Sequence, residues 1–265
     1  MRQQQEGVHP SFMGVIRQKE RIKGKLGGVK HRIGVYSAKG GVGKTTIAVN
    51  LAYTLARMDF KVGILDADID CPNLTLFTGI SEMMDMSIIP LKPIVKDGIK
   101  FASTAMLIDD LKRPIIWRGP LVAKMIGDFF ENTDWGELDY LIIDLSPGTS
   151  DAPLSIMQLL ELDGILIVTT PQRISGINSI RSGLMAKRLN VAVLGVLENM
   201  STGTISQSTK EVVERLSTNL IGTIKRDEKF NEFSDSGIPS VEKDAAIKEQ
   251  FSKVAKRLVG TKNSP

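Results

Sequence analysis

Ten residues constrain this chain more than any others: Ser37–Ala38–Lys39–Gly40–Gly41–Val42–Gly43–Lys44–Thr45–Thr46. The apolar run Ile33–Gly34–Val35–Tyr36 before them reads as a buried strand. Ile47, Leu51, Leu55 and Met58 after them fall on one face of a 3.6-residue helix. Strand, glycine loop and helix, with Gly-Lys-Thr at the joint, is the context that a phosphate-binding loop requires. Gly40, Gly41 and Gly43 let backbone N–H groups point inward, as a nest for anionic oxygens, with Val42 held between them. The helix adds the partial positive charge and unpaired N–H groups of its first turn. Lys44 then meets the β- and γ-phosphates, Thr45 offers a hydroxyl to Mg²⁺, and Thr46 donates to the α-phosphate. The common form of this loop opens on glycine. Here Ala38 takes that position and is small enough to fit.

The rest of the chain reads as the sheet such a loop needs. Short apolar runs at 61–65, 99–102, 140–144, 165–168, 191–197 and 220–224 alternate with helical patterns at about 174–188, 207–216 and 243–259. That alternation predicts an α/β fold, a doubly wound and mostly parallel sheet with helices on both faces. A length of 265 residues, 42% of them hydrophobic, suits one large domain of this kind. The expected organisation is a basic N-terminal extension over 1–28, docked or poorly ordered, a domain over 29–260 and a tail over 261–265. Phe12, Val15, Ile16 and Ile22 predict a short helix within the extension, broken by Gly24, Gly27 and Gly28. A further helix is expected after Trp117–Arg118–Gly119–Pro120, with Val122, Met125, Ile126, Phe129 and Phe130 on its apolar face. One cysteine, Cys71, excludes an intramolecular disulfide framework and points to a reducing compartment. No apolar run reaches membrane-spanning length and no secretory segment is read, so the expectation is a cytoplasmic protein. A formal charge of +4 permits contact with nucleic acid or an acidic membrane without requiring either.

Acidic residues close several of the strands. Asp144 follows Leu141–Ile142–Ile143 and reads as the carboxylate that holds Mg²⁺. Asp66 ends the 61–65 run as a second candidate near the metal, and Asp68, two residues on, points the same way on an extended chain. Asp70 is the remaining acid of that stretch. Carboxylates at the carboxyl ends of parallel strands sit where open α/β sheets bind ligands. Gly148, after Ser146–Pro147, gives 144–151 the freedom of a switch that reports on a γ-phosphate.

The form Lys39–Gly40–Gly41–Val42–Gly43–Lys44–Thr45 resembles the deviant phosphate loops of the MinD/ParA/Mrp group of ATPases. The segments Leu65–Asp66–Ala67–Asp68–Ile69, Ile116–Trp117–Arg118–Gly119–Pro120, 134–149, Thr169–Thr170–Pro171–Gln172 and Leu197–Glu198–Asn199–Met200 resemble the Mrp/ApbC branch, over about Val29 to Val241. The resemblance implies a Mg²⁺-dependent ATPase that closes as a homodimer on ATP. It implies that Lys39 reaches the partner's nucleotide, that Asp68 orients the attacking water, and that Asn199 reads the adenine edge. It also implies a role in assembling or transferring iron–sulfur clusters, with a cluster-receiving apo-protein or another protein client as partner. One departure stands out. The family's Cys-x-x-Cys pair follows Glu-Asn-Met, and here 201–206 reads Ser-Thr-Gly-Thr-Ile-Ser. An alternative therefore stays open: a MinD/ParA-like switch acting on membrane, DNA or a client, through the basic extension, the basic C-terminal helix or the cluster Met83, Met84 and Met86.

Overall fold

The computed structural model describes residues 10–68, 71–107, 129–149 and 151–262. Eight strands form one sheet: β1 (Val29–Tyr36), β2 (Val62–Ala67), β3 (Ile94–Lys96), β4 (Ile99–Ser103), β5 (Leu138–Leu145), β6 (Gly164–Thr169), β7 (Val193–Ser201) and β8 (Leu220–Lys225). Their spatial order is β3-β4-β2-β5-β1-β6-β7-β8. Every neighbouring pair is parallel except the hairpin β3–β4. β2 and β6 are buried along their whole length, which is why they read as continuous apolar runs rather than alternating ones.

The described helices are α1 (Pro10–Lys25), α2 (Lys44–Ala56), α3 (Leu74–Thr78), α4 (Asp151–Leu159), α5 (Arg173–Arg188), α6 (Gln207–Arg215), α7 (Lys229–Asp235) and α8 (Ala245–Lys262). α2 and α8 pack on each other, and so do α5 and α6. The chain leaves β1 through α2 toward β2 on one side and crosses from β6 through α5 to β7 on the other. Right-handed crossovers in opposite directions place those helices on opposite faces of the sheet. β1 sits between β5 and β6, so the chain's reversal opens a crevice at its carboxyl end, where open α/β sheets take ligands.

One expectation changes here, and two open alternatives narrow. Gly24 lies inside α1 rather than ending it, and the turn comes at 26–28. α1 docks through Ile22 and, just beyond it, Leu26, both buried. Three of its cations are held in ion pairs: Lys19 and Lys23 with Glu161 at 3.5 and 3.1 Å, and Arg21 with Glu131 at 2.6 Å. Lys30 pairs likewise with Asp139 at 2.8 Å, so these four charges are turned onto the domain. On α8 the apolar face Ile247, Phe251, Val254 and Leu258 is buried against the domain, which leaves no apolar stripe to enter a membrane. No helix among the described residues is long and apolar enough to cross one. The Trp117–Arg118–Gly119–Pro120 segment, Val122, Met125, Ile126 and Asp70 lie outside the described residues, while Phe129 and Phe130 are buried in the core.

Candidate functional site

The loop after β1 folds as its glycines require. Gly41 and Gly43 have φ of 74° and 85°, a left-handed backbone that residues with a Cβ adopt only under strain. Gly43 caps α2 without a side-chain hydrogen bond, and the first turn of α2 carries no acidic residue. Its leading N–H groups thus have neither intrahelical partners nor a carboxylate of their own, which makes an anion site.

Side chains fix the loop from both flanks. Ala38 N donates to Ser182 Oγ on α5 at 2.7 Å, and Lys39 Nζ donates to Gln172 Oε1 at 2.7 Å. The Tyr36 hydroxyl donates to the Gly148 carbonyl at 2.5 Å, tying the end of β1 to the segment after β5. Gly148 has φ of 95°, so that segment turns where only glycine turns freely.

Beside the loop lies a buried charged cluster. The parallel register sets Asp66 on β2 directly opposite Asp144 on β5. Both carboxylates are buried, and Lys44 is 8% exposed. Burial pushes the Lys44 ammonium below its ordinary value, and the charges of Asp144 and Asp68 oppose that shift. Burial pushes both carboxyls up. The charge of Asp144 adds to the shift on Asp66, while Thr45 and Lys44 restrain the shift on Asp144. Thr45 Oγ1 donates to Asp144 Oδ2 at 2.5 Å, and Asp144 Oδ1 is buried with no hydrogen-bond partner among the described residues. A hydroxyl, an unpartnered carboxylate oxygen and an excess of buried negative charge form a donor set that fits Mg²⁺.

The remaining predicted residues fall in different places. Asp66 lies beside the cluster, but its oxygens serve the local chain. Oδ1 accepts from Asp68 N at 3.0 Å, and Oδ2 accepts from Leu74 N at 3.0 Å and Ser103 Oγ at 3.2 Å. Asp68 is half-buried, and its Oδ1 accepts from Cys71 N at 3.2 Å. Cys71 itself is exposed. Asn199 is buried, and its Nδ2 donates to the Val42 carbonyl at 2.8 Å, so the contact seen is with the phosphate loop and not with an open base site. Thr46 lies in the first turn of α2, where its carbonyl accepts from Asn50 Nδ2 at 2.8 Å. Tyr36, Gln172 and Ser182 were not anticipated. Tyr36 and Gln172 lie in segments already singled out, and for Ser182 the sequence signal is the row Ser175, Ser179 and Ser182 on α5, small hydroxyls at helical spacing where a core helix ordinarily carries large apolar residues. Among the described residues, no group of three or more His, Cys, Asp or Glu side chains is arranged to hold a metal ion by itself.

Comparison with known proteins gives the family and the fold. The family model described as ParA, NUBPL iron-transfer P-loop NTPase, matches residues 28–259. A protein of Methanocaldococcus jannaschii named iron-sulfur cluster carrier protein is 42% identical over 262 residues, spanning 92% of this chain and 89% of its own. One of the same name from Pyrococcus horikoshii is 36% identical, spanning 93% and 92%. Among solved structures, a nucleotide-binding protein of Archaeoglobus fulgidus in complex with ADP superposes with a TM-score of 0.73 at 34% identity, covering 85% of this chain and 94% of that one. MinD of Aquifex aeolicus in its complex with MinC shares the fold, with a TM-score of 0.66 at 22% identity over 87% and 96% of the two chains.

The carboxyl cluster makes the free protein sensitive to pH. A carboxyl that holds its proton more tightly folded than unfolded contributes stability at low pH and loses it as the pH rises through its folded pKa. The shifts on Asp66 and Asp144 run in that direction. Without nucleotide and Mg²⁺, the melting temperature is expected to fall as the pH rises from ~5 to ~8, and Asp66→Asn is expected to flatten the fall. Thermal melts across that range check it; a melting temperature that rises with pH contradicts it.

Proposed function

This chain belongs to the family of ParA-type, NUBPL iron-transfer P-loop NTPases, and on that premise we propose that it binds and hydrolyses ATP with Mg²⁺. The observation that carries the reading is the open first turn of α2 set beside Lys44, Thr45 and the unpartnered Oδ1 of Asp144. Phosphoryl transfer needs positioning and charge stabilisation more than covalent chemistry. The nest at Gly40, Gly41, Val42 and Gly43 holds the phosphates, Lys44 neutralises them, and Thr46 donates to the α-phosphate. Thr45 and Asp144 hold Mg²⁺, which when bound screens the charge on the phosphate oxygens. Asp66 acts one step back by holding Asp68 N and Leu74 N, and Asp68 orients the attacking water.

The active form in this reading is a homodimer closed on ATP, working in the cytoplasm. Lys39 is partly exposed, and its ammonium donates to Gln172 at the start of α5, a contact it leaves to reach a partner's nucleotide when ATP binds. From the same point α5 presents Ile174, Ile177 and Leu184 to solvent, 54%, 38% and 47% exposed, while its buried face is small and polar. Ile180 and Met185 of the same helix pack on the core, so the outward three form a separate apolar stripe suited to a partner. Lys44→Ala is expected to abolish ATP binding and, with it, ATP-dependent dimerisation. Calorimetry and sedimentation velocity measure the two; unchanged ATP affinity in that variant would sink the proposal.

The nucleotide cycle serves iron–sulfur clusters, a reading supported by relatives named iron-sulfur cluster carrier protein, but this chain does not fit the cluster as a ligand. A cluster ordinarily takes about four thiolates. The chain has one cysteine, exposed Cys71, and none in 201–206, so two copies would supply two. The cluster is therefore a client's cargo, ligated at least in part by the client. Anaerobic reconstitution of the chain alone is expected to leave no bound iron and no visible absorption band. Iron and sulfide retained in proportion to protein would show that it carries a cluster itself.

A further inference from the structure

The carboxyl end of β7 reaches two functional segments at once. Glu198 and Asn199 are adjacent on a strand, so their side chains point to opposite sides. Glu198 is wholly buried, and its Oε2 accepts from Ser206 N at 3.0 Å and Ser206 Oγ at 2.6 Å. Ser206 is the N-cap of α6, its Oγ accepting from Thr209 N at 3.1 Å. Burial pushes the Glu198 carboxyl up, but the bonds from Ser206, with the hydroxyls of Thr209 and Ser201 nearby, outweigh it and hold the group below its ordinary value. On the other side, Asn199 is 5% exposed and donates from Nδ2 to the Val42 carbonyl at 2.8 Å. A Cβ at residue 43 would stand 2.4 Å from that nitrogen, so the amide occupies the space that only a glycine leaves open.

The contact has a direct consequence for the loop. In a trans peptide the carbonyl and the N–H point in opposite directions. Holding the Val42 carbonyl against Asn199 therefore aims the Gly43 N–H away from β7 and into the nest. We propose that Asn199 is a positioning residue of the phosphate loop, and that Glu198–Asn199 is a strut joining that loop to the first turn of α6. Anion binding at Gly43 tightens the 42–43 peptide against Asn199, and the neighbouring Glu198 carries the change to Ser206. The segment between them, with Met200 and Ile205 exposed, then responds to nucleotide although it does not belong to the phosphate site. The inference rests on the reading of residues 37–46 as a nucleotide loop.

ADP titrations of the full chain, paired with hydrogen exchange over 38–46 and 207–210, test it. The wild type is expected to bind ADP and, on binding, to slow exchange in both segments. Asn199→Ala is expected to weaken ADP by about tenfold, the loss of one well-placed hydrogen bond, and to abolish the slowing at 207–210. Asn199→Asp has the same shape but sets an oxygen against the Val42 carbonyl, and is expected to weaken ADP further. It keeps the test informative if the alanine variant does not fold. A general loss of packing would instead raise exchange throughout the chain and leave the coupling between the two segments in place. Wild-type binding with unchanged affinity in both variants, or with 207–210 still protected by ADP in either, overturns the strut. A wild type that does not bind ADP overturns the nucleotide reading and the strut with it.

Discussion

Opposite Asp66 across one strand pair stands Asp144, and both carboxylates are shut away from water with Lys44 beside them. Such an arrangement is unfavourable on its own, since each carboxylate raises the cost of ionising the other and burial raises the cost of all three charges. Two partial remedies come from the protein. Thr45 donates to Asp144, and main-chain N–H groups of Asp68 and Leu74 donate to Asp66. In the proposed function the remainder is left for ligands: a cation to meet Asp144 Oδ1, and an anion to meet Lys44 and the first turn of α2. The site is a pair of incompletely compensated halves, each of which improves the other when filled.

Much of the surrounding structure holds those halves at a fixed separation. β1 and β5 are neighbours in the sheet, so the glycine loop and Asp144 emerge side by side. Tyr36 fastens the segment after β5 through the Gly148 carbonyl, and Ser182 fastens the loop's own entrance through Ala38 N. The buried face of α5 is built from Ser175, Gly176, Ser179, Ser182, Gly183 and Ala186, residues small enough to bring a helix close to the loop. The same choice leaves Ile174, Ile177 and Leu184 outside. One helix thereby buttresses the nucleotide loop and offers an apolar face next to it.

The parts of this architecture that were legible in the sequence share a physical reason. Parallel strands buried on both faces must be apolar throughout, so 140–144 and 165–168 fell within β5 and β6. The loop was legible because left-handed turns demand glycine at fixed spacing. What escaped was short or three-dimensional. α3 and α7 have 5 and 7 residues, too few for a helical period to declare itself. Asp66 looked like a metal ligand because nothing local shows that Leu74 N and Ser103 would take its second oxygen. The direct hydrogen bond of Asn199 to the Val42 carbonyl is hidden by their distance in sequence. The basic amphipathic α8 matched two patterns, and only packing shows that its apolar face belongs to the core.

In the proposed function, the nucleotide cycle and its cargo rest on separate parts: a phosphate loop within this chain, and a cluster whose ligands lie at least partly elsewhere. The central claim is that the two halves of the site are coupled. Calorimetric titration of ADP with and without Mg²⁺, in the wild type and in Asp144→Asn, tests it most directly. Coupling of this kind is reciprocal, so the account predicts that Mg²⁺ tightens ADP binding in the wild type by about tenfold or more, and that Asp144→Asn removes that gain while still binding ADP without metal. Equal ADP affinity with and without Mg²⁺ in the wild type, or a full Mg²⁺ gain retained in Asp144→Asn, would contradict it.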